Sequence, residues 1–359
     1  MRFNNIELLR LAAAIGVAVI HLAMYARIEF GIENAFVRML QMPWFGPAIA
    51  PLFFAVSGFV LSHVMHATTP GRFLKLRAVR LYPAYWIAAA SVFAITALGL
   101  WPGPYLRITE PNPTWQTILL LPPGSIRLGQ YPLIVEWTLI YEIVLWVWLI
   151  GTWTVFGKTS VKWFAAAWLA VLAAKLAIRP DFGSTTIPQW STVWLSVFVA
   201  PFLFGILAYE LRQKGRSLRW PALAAILGLH AIAIQIPFEQ HLDWHFGLRG
   251  VAAGLSIWFI VQLPDASKTN PLVRAGSYSY GLYLTHVPLM LFGYRVLEVW
   301  SVTSGVATVC IVGTFTLLVG LSLGRLELIM HGRLKKLADR RLVLPTIRVP
   351  GLARLTGSR

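Results

Sequence analysis

Apolar residues in this chain gather into runs of about 20, the length a helix needs to cross a hydrocarbon layer. Ten such runs mark approximate spans at 6–26, 47–66, 80–101, 131–156, 161–178, 190–211, 219–237, 245–263, 277–297 and 303–324. The polar positions between them are not neutral spacers. Assigning alternate loops to opposite sides puts 22 of the Lys and Arg residues on the side that holds both chain ends and 7 on the other. Because basic loops stay in the cytoplasm, the asymmetry places both termini there. An even number of spans requires the same result. The pattern therefore predicts an all-α polytopic membrane helical bundle of about ten transmembrane helices, with a membrane domain over 1–324 and a basic cytoplasmic juxtamembrane tail over 325–359. Between the third and fourth runs, residues 102–130 are rich in Pro and Gly, and the stretch TWQTILLL is too short to span; it predicts a re-entrant or interfacial piece.

Composition turns this pattern into a class. The 359 residues are 57% hydrophobic and 13% charged, with a mean hydropathy of +0.66, which describes an integral membrane protein. The excess of 31 Lys and Arg over 14 Asp and Glu would suit a nucleic-acid partner in a soluble chain. Here the charges lie in short clusters between apolar runs, so they signal topology, and no nucleic-acid partner is expected. One cysteine, Cys310, excludes an intrachain disulfide and a cysteine metal site. Glu7 and Arg10 interrupt the first run and no clean cleavage site follows, so it reads as a retained span rather than a signal peptide. No internal repeat and no domain break is visible, and the basic tail from Arg325 reads as a juxtamembrane helix followed by a mobile end that can rest on anionic lipid.

Several ionisable residues sit where hydrocarbon makes them costly. Arg10 and His21 are eleven residues apart, about three helical turns and about 16.5 Å of rise, so they share one face of the first span. Glu142 lies in the middle of the fourth span, His286 in the middle of the ninth, and the small pair Ser57 and Gly58 in the second. Taken singly, Arg10 can snorkel, His21 can satisfy a carbonyl, and Ser57-Gly58 can serve close helix packing. Taken together, His21, Glu142 and His286 point to a buried functional cavity. At the cytoplasmic start of the third span, Arg77 and Arg80 lie three apart on one face, with Arg72 and Lys75 near and Tyr82, Pro83 and Tyr85 just inside. The plain explanation is positive-inside topology; the functional one is a guanidinium fork for a phosphorylated ligand. His63 with His66, and His241 with Asp243 and His245, lack a metal signature and read as interfacial histidines, so no metal is expected. Walker, dinucleotide and nucleophile-elbow motifs are absent.

In this order, these residues resemble acyltransferase family 3, the multispan bacterial membrane enzymes that O-acylate surface polysaccharides and related acceptors. The resemblance runs over roughly residues 5 to 325. It rests on R-x10-H from Arg10 to His21, FFAVSGFVLS with Ser57-Gly58-Phe59, R-x-x-R from Arg77 to Arg80 followed by Tyr82-Pro83, W-x4-E from Trp137 to Glu142, and SYSYGLYLTHVPL with His286. The family's usual W-S-L is here Trp137-Thr138-Leu139, and no esterase-like domain is appended, which suggests a stand-alone membrane unit.

The resemblance implies an inner (plasma) membrane, multi-pass O-acyltransferase. Its donor would be a cytoplasmic acyl-CoA, acetyl-CoA as the expected co-substrate with no bound cofactor. Its acceptor would be a hydroxyl of an extracytoplasmic carbohydrate or glycolipid. His21 is then the expected general base, with His286 the competing choice, Glu142 its orienting or charge-stabilising partner and Arg10 a positive group along the path. Arg77, Arg80, Tyr82, Ser57 and Gly58 form the expected donor side. A secondary transporter or flippase is the rival, since ionisable residues inside spans also mark substrate routes; it leaves the R-x-x-R pair without a task.

Overall fold

A computed structural model describes residues 3–41, 46–99, 115–122, 132–180, 189–212, 219–236, 241–302 and 305–340. Among these residues the structure is helical, with no strand: α1 (Asn4–Ile28), α2 (Ala35–Leu40), α3 (Gly46–Ala67), α4 (Pro70–Ala97), α5 (Trp115–Leu119), α6 (Glu136–Phe156), α7 (Val161–Ile178), α8 (Ala200–Leu211), α9 (Arg219–Gln235), α10 (Leu242–Ile260), α11 (Pro271–Gly276), α12 (Ser279–Val299) and α13 (Gly305–Arg340). The ends obey local chemistry. Pro70 and Pro271 open α4 and α11, where a missing N–H costs nothing. Asn34 and Asn270 cap α2 and α11 through their side-chain oxygens, and Gly157, at φ 85°, closes α6.

Helices occupy all ten apolar intervals, with shifted ends. α4 begins ten residues before position 80, and α6 begins at Glu136 rather than at 131. The interval 190–211 is α-helical only from Ala200, after two 3-10 turns at Val193–Leu195 and Val197–Val199. Among the described residues six helices are long and apolar enough to cross a membrane: α1, α3, α4, α6, α7 with its preceding turn, and α13. The other four fall short of that measure for physical reasons. α8 has 12 residues and α9 has 17, while α10 carries Asp243, His245 and Arg249 and α12 carries His286, Arg295 and Glu298. α13 runs through residue 324 without a break as far as Arg340, so the start of the basic tail is a continuation of the last apolar helix.

Close backbone crossings join the bundle. A Cβ on Gly58 of α3 would lie 2.0 Å from the Phe202 carbonyl oxygen of α8, and one on Gly205 would lie 2.0 Å from the Ala55 carbonyl oxygen. The two glycines thus let α3 and α8 touch backbone to backbone. Gly281 of α12 and Gly324 of α13 meet in the same way.

The helix ends sort into two layers. Where α1 begins, the Asn5 side-chain amide donates to the carbonyls of Ile260 and Pro264, and the Ala266 N–H donates to Asn5. Near this layer the Trp258 indole reaches the Leu211 carbonyl, Gln262 reaches Arg212, and His66 pairs with Glu210 at 3.6 Å. Lys158 reaches the Thr68 carbonyl at 3.0 Å. Where α1 ends, Arg27 bonds Gln41 and Arg295 covers the Phe30 ring. The buried ion pair of Lys175 with Asp243 ties α7 to α10.

The short α5 is the described part of the Pro/Gly-rich segment; residues 100–114 and 123–131 lie outside the described residues. It is held by three side chains of α4: the Tyr85 hydroxyl donates to Thr117, the Trp86 indole to Ile118 and the Tyr82 hydroxyl to Leu119, each at 2.9 Å. These donors satisfy three carbonyls that so short a helix leaves open.

Candidate active site

Six helices line one cavity of about 280 Å³, and four of them bring charged side chains to it. α1 supplies Arg10, α3 Ser57, α4 Arg77 and Arg80, α6 Glu142, and α13 His331 and Lys335, while Tyr280 and Tyr283 come from α12. Phe53, Phe54, Val60 and Trp146 form its apolar wall. The Ser57 hydroxyl donates to Glu142 Oε1 at 3.0 Å, which gives a mid-helix carboxylate its partner. Arg10 donates to Glu7 at 3.3 Å and lies within electrostatic reach of Glu142. Arg80 Nη1 donates to both carboxylate oxygens of Glu327, at 2.6 and 2.8 Å. Its guanidinium also lies 4.9 Å from the centre of the Tyr280 ring.

Beside this cavity, and joined to it by Tyr283, are the two histidines. His21 Nδ1 and His286 Nε2 are 2.8 Å apart. Their ring planes differ by only 4° and the ring centres are 5.1 Å apart. That separation is the N···N distance plus two ring radii, so the imidazoles meet edge to edge, in hydrogen-bonding rather than stacking geometry. His286 Nδ1 is 2.7 Å from the Tyr283 carbonyl oxygen. A carbonyl only accepts, so His286 Nδ1 carries a proton and donates it there. In a neutral ring Nε2 is then the acceptor, and the His21 Nδ1–H must point at it. The proton inventory leaves the lone pair of His21 on Nε2. His286 is fully buried, whereas His21 is half-buried.

The Tyr283 hydroxyl has a similar chain. Thr138 and the Tyr283 hydroxyl both reach the Val135 carbonyl, at 3.0 and 3.3 Å, and also contact each other, so one of the two hydroxyls donates to the carbonyl and the other to its neighbour.

Of the residues singled out in the sequence, the structure brings Arg10, Ser57, Arg77, Arg80 and Glu142 to the cavity and pairs His21 with His286. Tyr82 and Gly58 are not on the cavity. Tyr82 anchors α5 and Gly58 sits at the α3–α8 crossing. Glu142 bonds Ser57 rather than either histidine, and the partner of His21 is His286.

His63 packs edge-on against Phe3, Asp243 pairs with Lys175, and His245 bonds the Ile236 carbonyl. Among the described residues no group of three or more His, Cys, Asp and Glu could hold a metal ion. Sequence reasoning missed Tyr283, Glu327, His331 and Lys335. The last three repeat every four residues, a one-faced helical signal, but they fall beyond the last apolar run.

Comparison with known proteins shows the family of the chain. The family model described as an acyltransferase domain matches residues 3–325. An exopolysaccharide production protein, ExoZ, of Rhizobium meliloti (strain 1021) is 24% identical over 265 residues, covering 67% of this chain and 75% of the relative. Protein 2 in the picA locus of Rhizobium radiobacter is 32% identical over 141 residues, covering 35% of this chain and 68% of that protein. No solved structure matches. With the family model covering nearly all of the described bundle, the chain belongs to acyltransferase family 3 and is a membrane acyltransferase.

Proposed function

We propose that this enzyme moves an acyl group, acetyl as the expected case, from a cytoplasmic acyl-CoA to a hydroxyl of an extracytoplasmic carbohydrate or glycolipid. The single observation that carries the reading is the His21–His286 pair beside a cavity lined with arginines. The name of the ExoZ relative, an exopolysaccharide production protein, supports a carbohydrate acceptor. The protein lies in the inner membrane with ten crossings and both termini cytoplasmic. The segregation of basic residues supports this, as do the contacts between the start of α1 and the 260–266 segment. The boundary at residue 324 then marks where α13 leaves the bilayer, with 325–359 as the cytoplasmic tail.

In the proposed step, His21 Nε2 takes the proton of the acceptor hydroxyl as the oxygen attacks the thioester carbonyl. The C–O bond forms and the C–S bond breaks. CoA leaves as a thiolate, and the imidazolium returns the proton to it. His286 holds the tautomer that makes this possible, Arg10 and Glu142 set the charge along the path, and Arg77 faces the donor phosphates.

The test is transfer of labelled acetyl groups from acetyl-CoA to a glycan fraction by purified protein. His21→Ala is expected to lose on the order of 10²-fold or more in rate with normal membrane insertion. A variant that folds and transfers at the wild-type rate overturns the base assignment. No turnover or binding of acetyl-CoA by the wild type would instead favour a transporter.

A further inference from the structure

The extension of α13 beyond residue 324, expected as a juxtamembrane helix, also forms one wall of the cavity. Glu327, His331 and Lys335 lie at successive spacings of four, hence on one face and along about 12 Å of helix. Glu327 engages Arg80, and His331 and Lys335 line the cavity with Arg77. Arg77, Arg80 and Lys335 are all within electrostatic reach of His331, so these cations converge on one place.

Their charges are not equally committed. The Arg80 guanidinium is held by both oxygens of Glu327 and by the Tyr280 face. It can turn to a ligand only by leaving a largely buried carboxylate unpaired, which is costly. Arg10 is compensated by Glu7. Arg77 rests at 5.7 Å over the Phe73 ring. Among the described residues neither Arg77 nor Lys335 has a carboxylate within ion-pair distance. Lys335 is exposed at the edge of the cavity, and Arg77 has only the longer-range field of Glu142 to offset it, so an anion between them gains charge-assisted hydrogen bonds without breaking an existing ion pair.

We propose that Lys335 and Arg77 together form the anion site for the phosphate-bearing end of the donor, and that Arg80 is a positioning residue locked by Glu327 rather than half of a fork. The proposal rests on the acyl-CoA reading above. It replaces the Arg77–Arg80 pair within one helix by a pair drawn from α4 and α13, so the donor site includes chain beyond residue 324.

The experiment measures transfer against donor concentration in nanodiscs of neutral phosphatidylcholine, which removes anionic headgroups as competing ligands. Wild type, Lys335→Gln and Lys336→Gln are compared with acetyl-CoA and with S-acetylpantetheine, which has the same thioester and no phosphate. Lys335→Gln is expected to raise the acetyl-CoA concentration for half-maximal rate about fivefold, the scale of an exposed ion pair. The dependence on salt should weaken in parallel. Lys336→Gln, which removes an equal charge from the neighbouring position outside the cavity lining, should match wild type, and the Lys335 effect should vanish with S-acetylpantetheine. Equal effects of the two substitutions, or none from Lys335→Gln while wild type saturates normally with acetyl-CoA, overturn the proposal and leave the donor reading intact. An effect that persists with S-acetylpantetheine also overturns it. Absence of any saturable acetyl-CoA dependence in wild type overturns the donor reading itself, and this site with it.

Discussion

The proton on His21 is placed by an uncharged backbone atom, the Tyr283 carbonyl, acting through His286. Removing that relay has a defined consequence. In His286→Ala, His21 Nδ1–H loses its acceptor, the ring is free to change tautomer or turn, and transfer should fall by about 10- to 100-fold, the cost typical of losing an orienting partner. His286→Gln supplies a side-chain oxygen that can accept the same proton, so it should recover part of the rate. Rates of the three proteins, normalised to folded protein, decide the matter. Glutamine no better than alanine would mean that His286 only fills space. Both histidines were legible in the sequence because imidazoles are rare at mid-span, and their order R-x10-H and LTH resembles the family pattern. Their pairing was not legible: it depends on how α1 and α12 face each other across 265 positions of sequence. The same limit applies to Glu142, whose depth was clear and whose partner, Ser57 of α3, was set by the fold.

At the scale of elements, length and apolarity located the helices well, and polarity hid what they do. Ser57-Gly58 looked like one feature and divides into two. Ser57 faces the cavity, and one residue on, about 100° round the helix, Gly58 faces α8. Gly58→Ala puts a methyl group 2.0 Å from the Phe202 carbonyl oxygen, so α3 and α8 must separate. The expected cost is about 1–3 kcal/mol or more, read as a lowered thermal midpoint in detergent. Gly151→Ala on α6, where nothing lies within 4 Å, is the matched control and should leave the midpoint unchanged or slightly higher. Equal midpoints would show that the crossing tolerates a side chain and that Gly58 has another purpose. α13 shows the opposite limit. A hydropathy window ends it at 324 because Arg325 and Glu327 follow, although the helix itself continues to Arg340. Charge marks where a helix leaves hydrocarbon, not where its backbone stops: the juxtamembrane helix expected after Arg325 is continuous with the last span, and what the sequence did not show is that Glu327 holds Arg80 and Lys335 lines the cavity.

For the whole molecule, the open physical question is which helices cross the bilayer. Six are long and apolar enough by themselves, and a six-span chain would also keep its termini on one side, so terminal reporters alone do not separate it from ten. The loops after α8 and α10 do. With six crossings everything between α7 and α13 stays on the far side; with ten, residues 213–218 and 264–270 return to the side of the N-terminus. The contacts favour the return: Asn5 Oδ1 accepts from the Ala266 N–H, the Asn5 N–H donates to Asp265, and the Gly276 backbone lies against Glu7. α1 is about 37 Å long, so a segment touching its first turn cannot also lie across the membrane. Charge agrees, since Lys214, Arg216 and Lys268 occupy these loops and Arg274 follows in α11. A short helix such as α8 and a polar one such as α10 are tolerated inside the bundle because other helices, not lipid, surround them: in α10, His245 and Arg249 are buried and Asp243 is paired with Lys175. Single cysteines at Ser217 and Ser267 in a Cys310→Ser background should therefore resist an impermeant maleimide applied from outside, as a cysteine near Arg359 should, while one at Pro111 should react. Labelling at 217 and 267 from outside, with the terminus protected, would establish six crossings and remove the ten-span arrangement.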